Sequence, residues 1–103
     1  MKEIRAVIRP HKLDEVLNAL HKIGRLPSVV SCQVTTTNVG AEFYKSESMT
    51  RIELMVPDEL VESVAGLILQ AAHTGNAGDG RIFIVPMEDS IVIRTGDRGE
   101  DSR

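Results

Sequence analysis

The 103-residue chain predicts an α+β fold with its elements in the order β-α-β-β-α-β, followed by a short extra C-terminal strand. Three observations carry that expectation. Apolar residues alternate with a period of two at 2–9 and again at 50–56, the pattern of a strand with one face toward a core. After each of these runs the apolar spacing changes to three and four, the pattern of an amphipathic helix. Proline and glycine fall at the joins.

The first strand places Ile4, Ala6 and Ile8 on one face and Arg5, Val7 and Arg9 on the other; Pro10 ends it. The stripe Leu13, Val16, Leu17, Leu20, Ile23 makes the first helix, which stops at Gly24. Val29 to Thr37 is rich in Val and Thr and reads as a second strand. The polar segment "NVGAEFYKSES" has no clear period and reads as a loop. Thr50 to Val56 is the third strand, with Ile52, Leu54 and Val56 on one face. Pro57 and Asp58 open a second helix with Asp58 as its N-cap, carrying the stripe Leu60, Val61, Val64, Leu67, Ile68, Ala71 and ending at Thr74-Gly75. Ile82 to Pro86 is a fourth strand and Ile91 to Arg94 a short fifth. Two helices on one face of an antiparallel sheet is the ferredoxin-like arrangement. The other sheet face then needs cover, which another copy of the chain supplies most simply, so self-association is expected.

Composition narrows the function. A net charge of −3 without any Lys/Arg block argues against general nucleic-acid or membrane-surface binding. The first ten residues contain no apolar segment of the kind a secretory signal requires, and no stretch is apolar enough to span a bilayer, so a cytoplasmic protein without direct membrane insertion is expected. Cys32 is the lone cysteine, which excludes a disulfide framework within the chain; on a strand it reads as a small buried hydrophobe. His11, His21 and His73 are not spaced as metal ligands; the first two read as surface residues and His73 as a helix-end cap. Glu42, Tyr44 and Glu47 read as solvated loop residues. No nucleophile with an oriented base stands out, so no catalytic residue is assigned and the chain is not expected to be an enzyme.

The segment "TGNAGDGRIF", residues 74–83, concentrates Gly75, Gly78 and Gly80 beside Asp79 and Arg81. It matches neither the Walker A spacing nor GxGxxG. Successive backbone N–H groups in such a turn form a concave nest for phosphate oxygens, and Arg81 adds a forked donor. A plain helix stop and turn remains the alternative. A second anionic-site candidate is "IRTGDRG", with Arg94 and Arg98, whose alternative is a solvated tail.

The segments "MKEIRAVIRPHKLDEVLNAL", "VPDELVE" and "HTGNAGDGRIFIVPMEDSIVIRTGDRGEDS" resemble the PII signal-transduction protein family, over nearly the whole chain outside residues 25–50. The pattern Thr-Gly-x-x-Gly-Asp-Gly-basic-Ile-Phe followed by Ile-Arg-Thr-Gly carries the resemblance. It implies a single domain over 1–103, with a shortened T-loop at 36–49, a B-loop at 74–81 and a C-terminal loop and tail at 94–103. It further implies a homotrimer that binds an adenine nucleotide between subunits and regulates a membrane transporter or metabolic enzyme of nitrogen or inorganic-carbon metabolism. By the resemblance, Thr74, Gly78, Asp79, Gly80 and Arg81 surround the phosphates, and Arg94 enters from the neighbouring subunit. Val7 and Met55 line the adenine slot, and Glu53 pairs with the basic residue at 81.

The chain also departs from the family. Its "TTTNVGAEFYKSESM" replaces a T-loop roughly ten residues longer, a change that costs little in loop entropy. Thr35-Thr36-Thr37-Asn38 stands where the family has the glycine-rich "GFGRQ", whose Gln helps hold magnesium and 2-oxoglutarate, so 2-oxoglutarate is not carried over. Val92 and Met49 replace two cations of the phosphate end. Charge-assisted bonds contribute about 1.5–3 kcal/mol each, so ADP or AMP becomes as fitting a ligand as ATP, with Mg²⁺ accompanying the latter. The divergence is similar to that of PII-like proteins linked to bicarbonate transport, carboxysomes or metal efflux. Two alternatives remain at this stage: a metal-binding trimer similar to the copper-tolerance family, and a small phosphatase using Asn76 and Arg81.

Overall fold

The computed structural model describes residues 1–24, 26, 28–40 and 44–99. Four strands, β1 (Lys2–Ile8), β2 (Val30–Asn38), β3 (Lys45–Val56) and β4 (Gly80–Pro86), form one antiparallel sheet in the order β2-β3-β1-β4. Helices α1 (Leu13–His21) and α2 (Val61–Ala72) each follow a single 3-10 turn, at Pro10–Lys12 and Asp58–Leu60. Proline opens both connections because its fixed φ suits the entry to a helical turn and its missing N–H is not needed there. The ferredoxin-like expectation holds, with β1 at the centre paired to both β3 and β4.

The helices pack on one sheet face only. Ile4, Ala6 and Ile8 of β1 and Ile52, Leu54 and Val56 of β3 meet Val16 and Leu20 of α1 and Val61, Val64 and Ile68 of α2 in one aliphatic core. These are the alternating positions and helical stripes of the sequence, and a side chain of this size contributes about 1.5–3 kcal/mol when fully buried. On the opposite face, among the described residues, no helix lies over Arg5, Val7, Arg51, Glu53, Arg81 and Phe83, which stand in adjacent rows across β3, β1 and β4. Cys32 belongs to this face and is exposed, which corrects the expectation of a buried cysteine. The strand period puts it opposite Arg51, away from the helices.

Three further expectations change. The polar segment at 38–49 is strand at Asn38 and at Lys45–Met49: β2 and β3 pair continuously from Val30↔Glu53 to Asn38↔Lys45, with a hydroxyl bond between Thr37 and Ser46 at 2.9 Å. This ribbon extends past the helices, so neither of its faces is buried and no apolar alternation marks it. The short fifth strand is reduced to an isolated bridge between Ile91 and Arg98. There the chain turns back within a few residues, held by Asp89, which accepts from Ser90 N (2.8 Å), Gly99 N (3.0 Å) and Arg98 Nε (2.9 Å). Asp58 does not cap its helix; Pro57 occupies the cap position, and the Asp58 carboxylate accepts the Met1 ammonium at 2.5 Å. Glu42 and the end of the tail, 100–103, lie outside the described residues.

Ile68 is fully buried between the helices and the sheet. Its replacement by Ala is expected to lower unfolding free energy by about 2–5 kcal/mol. Urea denaturation monitored by far-UV circular dichroism measures this, and a loss below 1 kcal/mol (roughly one methylene's worth) would contradict the core described here.

Candidate functional site

The glycine loop begins where α2 ends. His73 is extended (φ −71°, ψ 131°), and its backbone N–H closes the helix by donating to Leu69 O at 3.1 Å. From there the chain must reverse and enter β4. It does so through Gly75, Gly78 and Gly80, with φ of 86°, 92° and 107°, a region that side chains other than glycine's rarely occupy. At Gly80 the requirement is absolute, since a Cβ would lie 1.7 Å from Val7 O.

Asp79 sets the shape of this loop. Its Oδ2 accepts the backbone N–H of Thr74 at 2.8 Å and of Gly75 at 3.0 Å. Its Oδ1 accepts the Thr74 hydroxyl and Arg9 Nε, the latter at 2.9 Å. Arg9 also donates through Nη2 to Ala77 O at 2.8 Å. One carboxylate thus ties both ends of the loop to the end of β1. The Thr74 hydroxyl, the Arg9 guanidinium and the two loop N–H groups all favour its charged form, holding the Asp79 carboxyl well below the usual carboxylate range.

Around this frame the outer sheet face and the loop enclose a cleft of about 500 Å³. Val7, Gly78, Asp79, Gly80 and Arg81 line it together, so five of the nine residues proposed from the sequence meet in one place. Thr74 stands behind them, engaged by Asp79. Arg81 is exposed and makes no ion pair among the described residues. A second cleft of about 410 Å³ lies between α2 and β4 and shares Val7, Asp79, Gly80 and Arg81.

The remaining candidates are elsewhere within one chain. Met55 is buried and lines a separate cleft of about 280 Å³ with Glu3, Val30 and Glu53. Glu53 is paired with Arg51 at 2.9 Å, not with Arg81. The cause is register: Arg81 pairs with Val7, which has Arg51 on its other side, whereas Glu53 pairs with Arg5 one row along and on the far side of β1. Arg94 lies in the turn after β4 and lines none of these clefts. Arg98, the other candidate cation there, is committed to Asp89.

Sequence reasoning missed Arg9 and Glu47. Arg9 is 70 positions from its partner Asp79, and the available signal was an acid inside the glycine-rich turn read as an anion nest, which needs a neutralising neighbour. Glu47 borders the main cleft because the hairpin is longer than expected.

Comparison with known proteins places this geometry. The family described as nitrogen regulatory protein P-II matches residues 1–97. The chain belongs to the PII family. It is 43% identical to the nitrogen regulatory protein P-II of Rhodospirillum rubrum and 40% identical to that of Azospirillum brasilense, each covering 99% of both chains. It is 38% identical to the nitrogen fixation nifHD region GlnB-like protein 1 of Methanothermococcus thermolithotrophicus, over 96% of this chain and 99% of that one. Among solved structures, Arabidopsis thaliana PII bound to citrate superposes with a TM-score of 0.88 at 35% identity, covering 99% of this chain and 91% of that one. Membership places the chain among PII nitrogen-regulatory signal-transduction proteins and not among enzymes, although Asn76 and Arg81, the pair a phosphatase would need, do share the main cleft.

Asp79→Asn removes the charge that Arg9 and the loop N–H groups recognise. Because folding lowers this carboxyl's pKa, its stabilisation is fully present above the unfolded value of 3.8 and is lost as pH falls through the lower folded value. Near neutral pH the variant is therefore expected to melt below the parent, with the difference narrowing in acid. Differential scanning calorimetry across that range checks it; a difference unchanged between neutral pH and the acid limit would contradict the role given to Asp79.

Proposed function

We propose that this PII protein is a trimeric regulator that holds an adenine nucleotide against the glycine loop, in a cleft completed by a neighbouring copy. The observation that carries the reading is the Asp79 staple, which fixes Gly78 and Gly80 in positive φ beside an Arg81 that no intrachain acid, among the described residues, neutralises. A rigid turn of backbone N–H groups next to a free guanidinium suits a phosphate group, while Val7 supplies an apolar wall. Self-association is supported by the sheet face that carries no helix. Assembly would also bring the separated candidates, Glu53, Met55 and Arg94, to a loop they do not reach within one chain.

The ligand class is ADP or AMP as readily as ATP, with Mg²⁺ accompanying ATP. Met49, in the position where a cation is often found, is buried on the cleft wall and offers no charge. The β2–β3 hairpin is the element that reports the ligand to a partner. Both of its strands border the cleft, through Thr36 and Glu47, so a ligand that prefers one hairpin position shifts the population a partner meets. Its shortness is supported by the alignments to the bacterial P-II relatives, which run over 111 and 112 positions against a chain of 103 residues. The partner is a transporter or enzyme of nitrogen or inorganic-carbon metabolism. The nitrogen-fixation context named for the Methanothermococcus relative supports the first of these.

Isothermal titration calorimetry with AMP, ADP and ATP, on protein whose trimeric state is confirmed by sedimentation, tests the reading. At least one nucleotide is expected to bind at one site per chain, with Arg81→Ala and Arg94→Ala each weakening it roughly tenfold or more. Absence of binding by all three would refute the nucleotide site, and an Arg94→Ala variant that binds normally would refute its intersubunit completion.

A further inference from the structure

Glu47, on β3, lines the main cleft together with Arg81, the cation that the glycine loop supplies. Its Oε1 is paired with Lys45 at 3.5 Å, whereas its Oε2 faces the loop, 3.3 Å from where a side-chain carbon at position 78 would lie. Arg9 Nη2 flanks the same point at 3.4 Å, but that guanidinium is already committed to Asp79 and Ala77 O. The other hairpin residues on the cleft wall, Thr36 and Met49, are uncharged. The cleft is therefore polar in a specific sense, with Arg81 at the strand end of the loop and a carboxylate on the hairpin side.

Resting on the nucleotide reading above, we infer that Glu47 determines specificity by limiting how long a phosphate chain the cleft accepts. A phosphate held at Gly80 and Arg81 is on the cationic side. Each further phosphate adds negative charge and length, and so extends toward a carboxylate with no free hairpin cation to offset it. Lys45 moderates this only weakly, since its side chain is 77% exposed and engages the oxygen other than the one facing Gly78. The result is a site that discriminates against the triphosphate through repulsion in addition to lacking donors for it.

Calorimetric titration of AMP, ADP and ATP into the full-length parent, Glu47→Gln and Glu47→Lys tests the inference, with thermal melting to confirm that each variant is folded. Glu47→Gln keeps the side-chain shape and removes the charge. It is expected to improve ATP relative to AMP by roughly three- to thirtyfold, the range for one partly screened like charge. Glu47→Lys is expected to shift the ratio further in the same direction, and the parent's ratio is expected to narrow at high salt. An equal effect on all three nucleotides, or none, would overturn the role of Glu47 while leaving the nucleotide site standing. Failure of every nucleotide to bind the parent would overturn both.

Discussion

The charge on Asp79 is the constraint from which the site follows. Three glycines at positive φ make a turn that is entropically costly to order and offers little apolar burial in return. Left to itself such a segment has many near-equivalent paths. The carboxylate selects one of them by accepting from Thr74, Gly75 and Arg9 together, and Arg9 lies at the end of the central strand. The loop thereby inherits the rigidity of the sheet. Gly80 completes the attachment from the other side, because its missing Cβ lets β4 approach Val7 closely enough to enter the pairing at Ile8↔Gly80.

This arrangement changes what Asp79 and Thr74 can be said to do. Both lie in the segment that carries the family resemblance, and both have their polar atoms engaged by other parts of the same loop. They build the turn, and the groups left over for the proposed ligand are the backbone beyond them and Arg81. A negatively charged residue within a turn that we propose binds an anion is then no paradox. Its charge is already matched by Arg9 and by the N–H groups it organises.

What could be read from the sequence was whatever a buried face imposes. β1, β3 and both helices carry apolar residues at the period of their structure, because one side of each meets the core; the limits of β1 and the helices fall close to those expected, whereas β3 ends at Val56 as expected but begins at Lys45, before the apolar alternation starts. The outer part of β3 has no such side, so Lys45 to Ser48 looks like loop, whereas β2 is legible from its Val and Thr content. Cys32 was misjudged for the same reason: the period fixes which face it takes, but only the sheet order tells that the face is open. The glycine loop was recognisable from composition, yet its internal wiring was not, since that depends on an arginine at the far end of another element. Glu53, Met55 and Arg94 entered by resemblance alone, and one chain does not bring them to the loop.

The sheet pairing between β2 and β3 also has a mechanical side. The molecule measures 49 Å along its longest axis but only 24 and 20 Å across. Cross-strand bonds run without interruption out to Asn38↔Lys45, well past Met49 and Thr50, the outermost buried residues of the ribbon. A two-stranded ribbon braced in this way pivots as a stiff arm about its root. A slight tilt at the root therefore becomes a larger sweep at the tip, with leverage that grows with the arm's length.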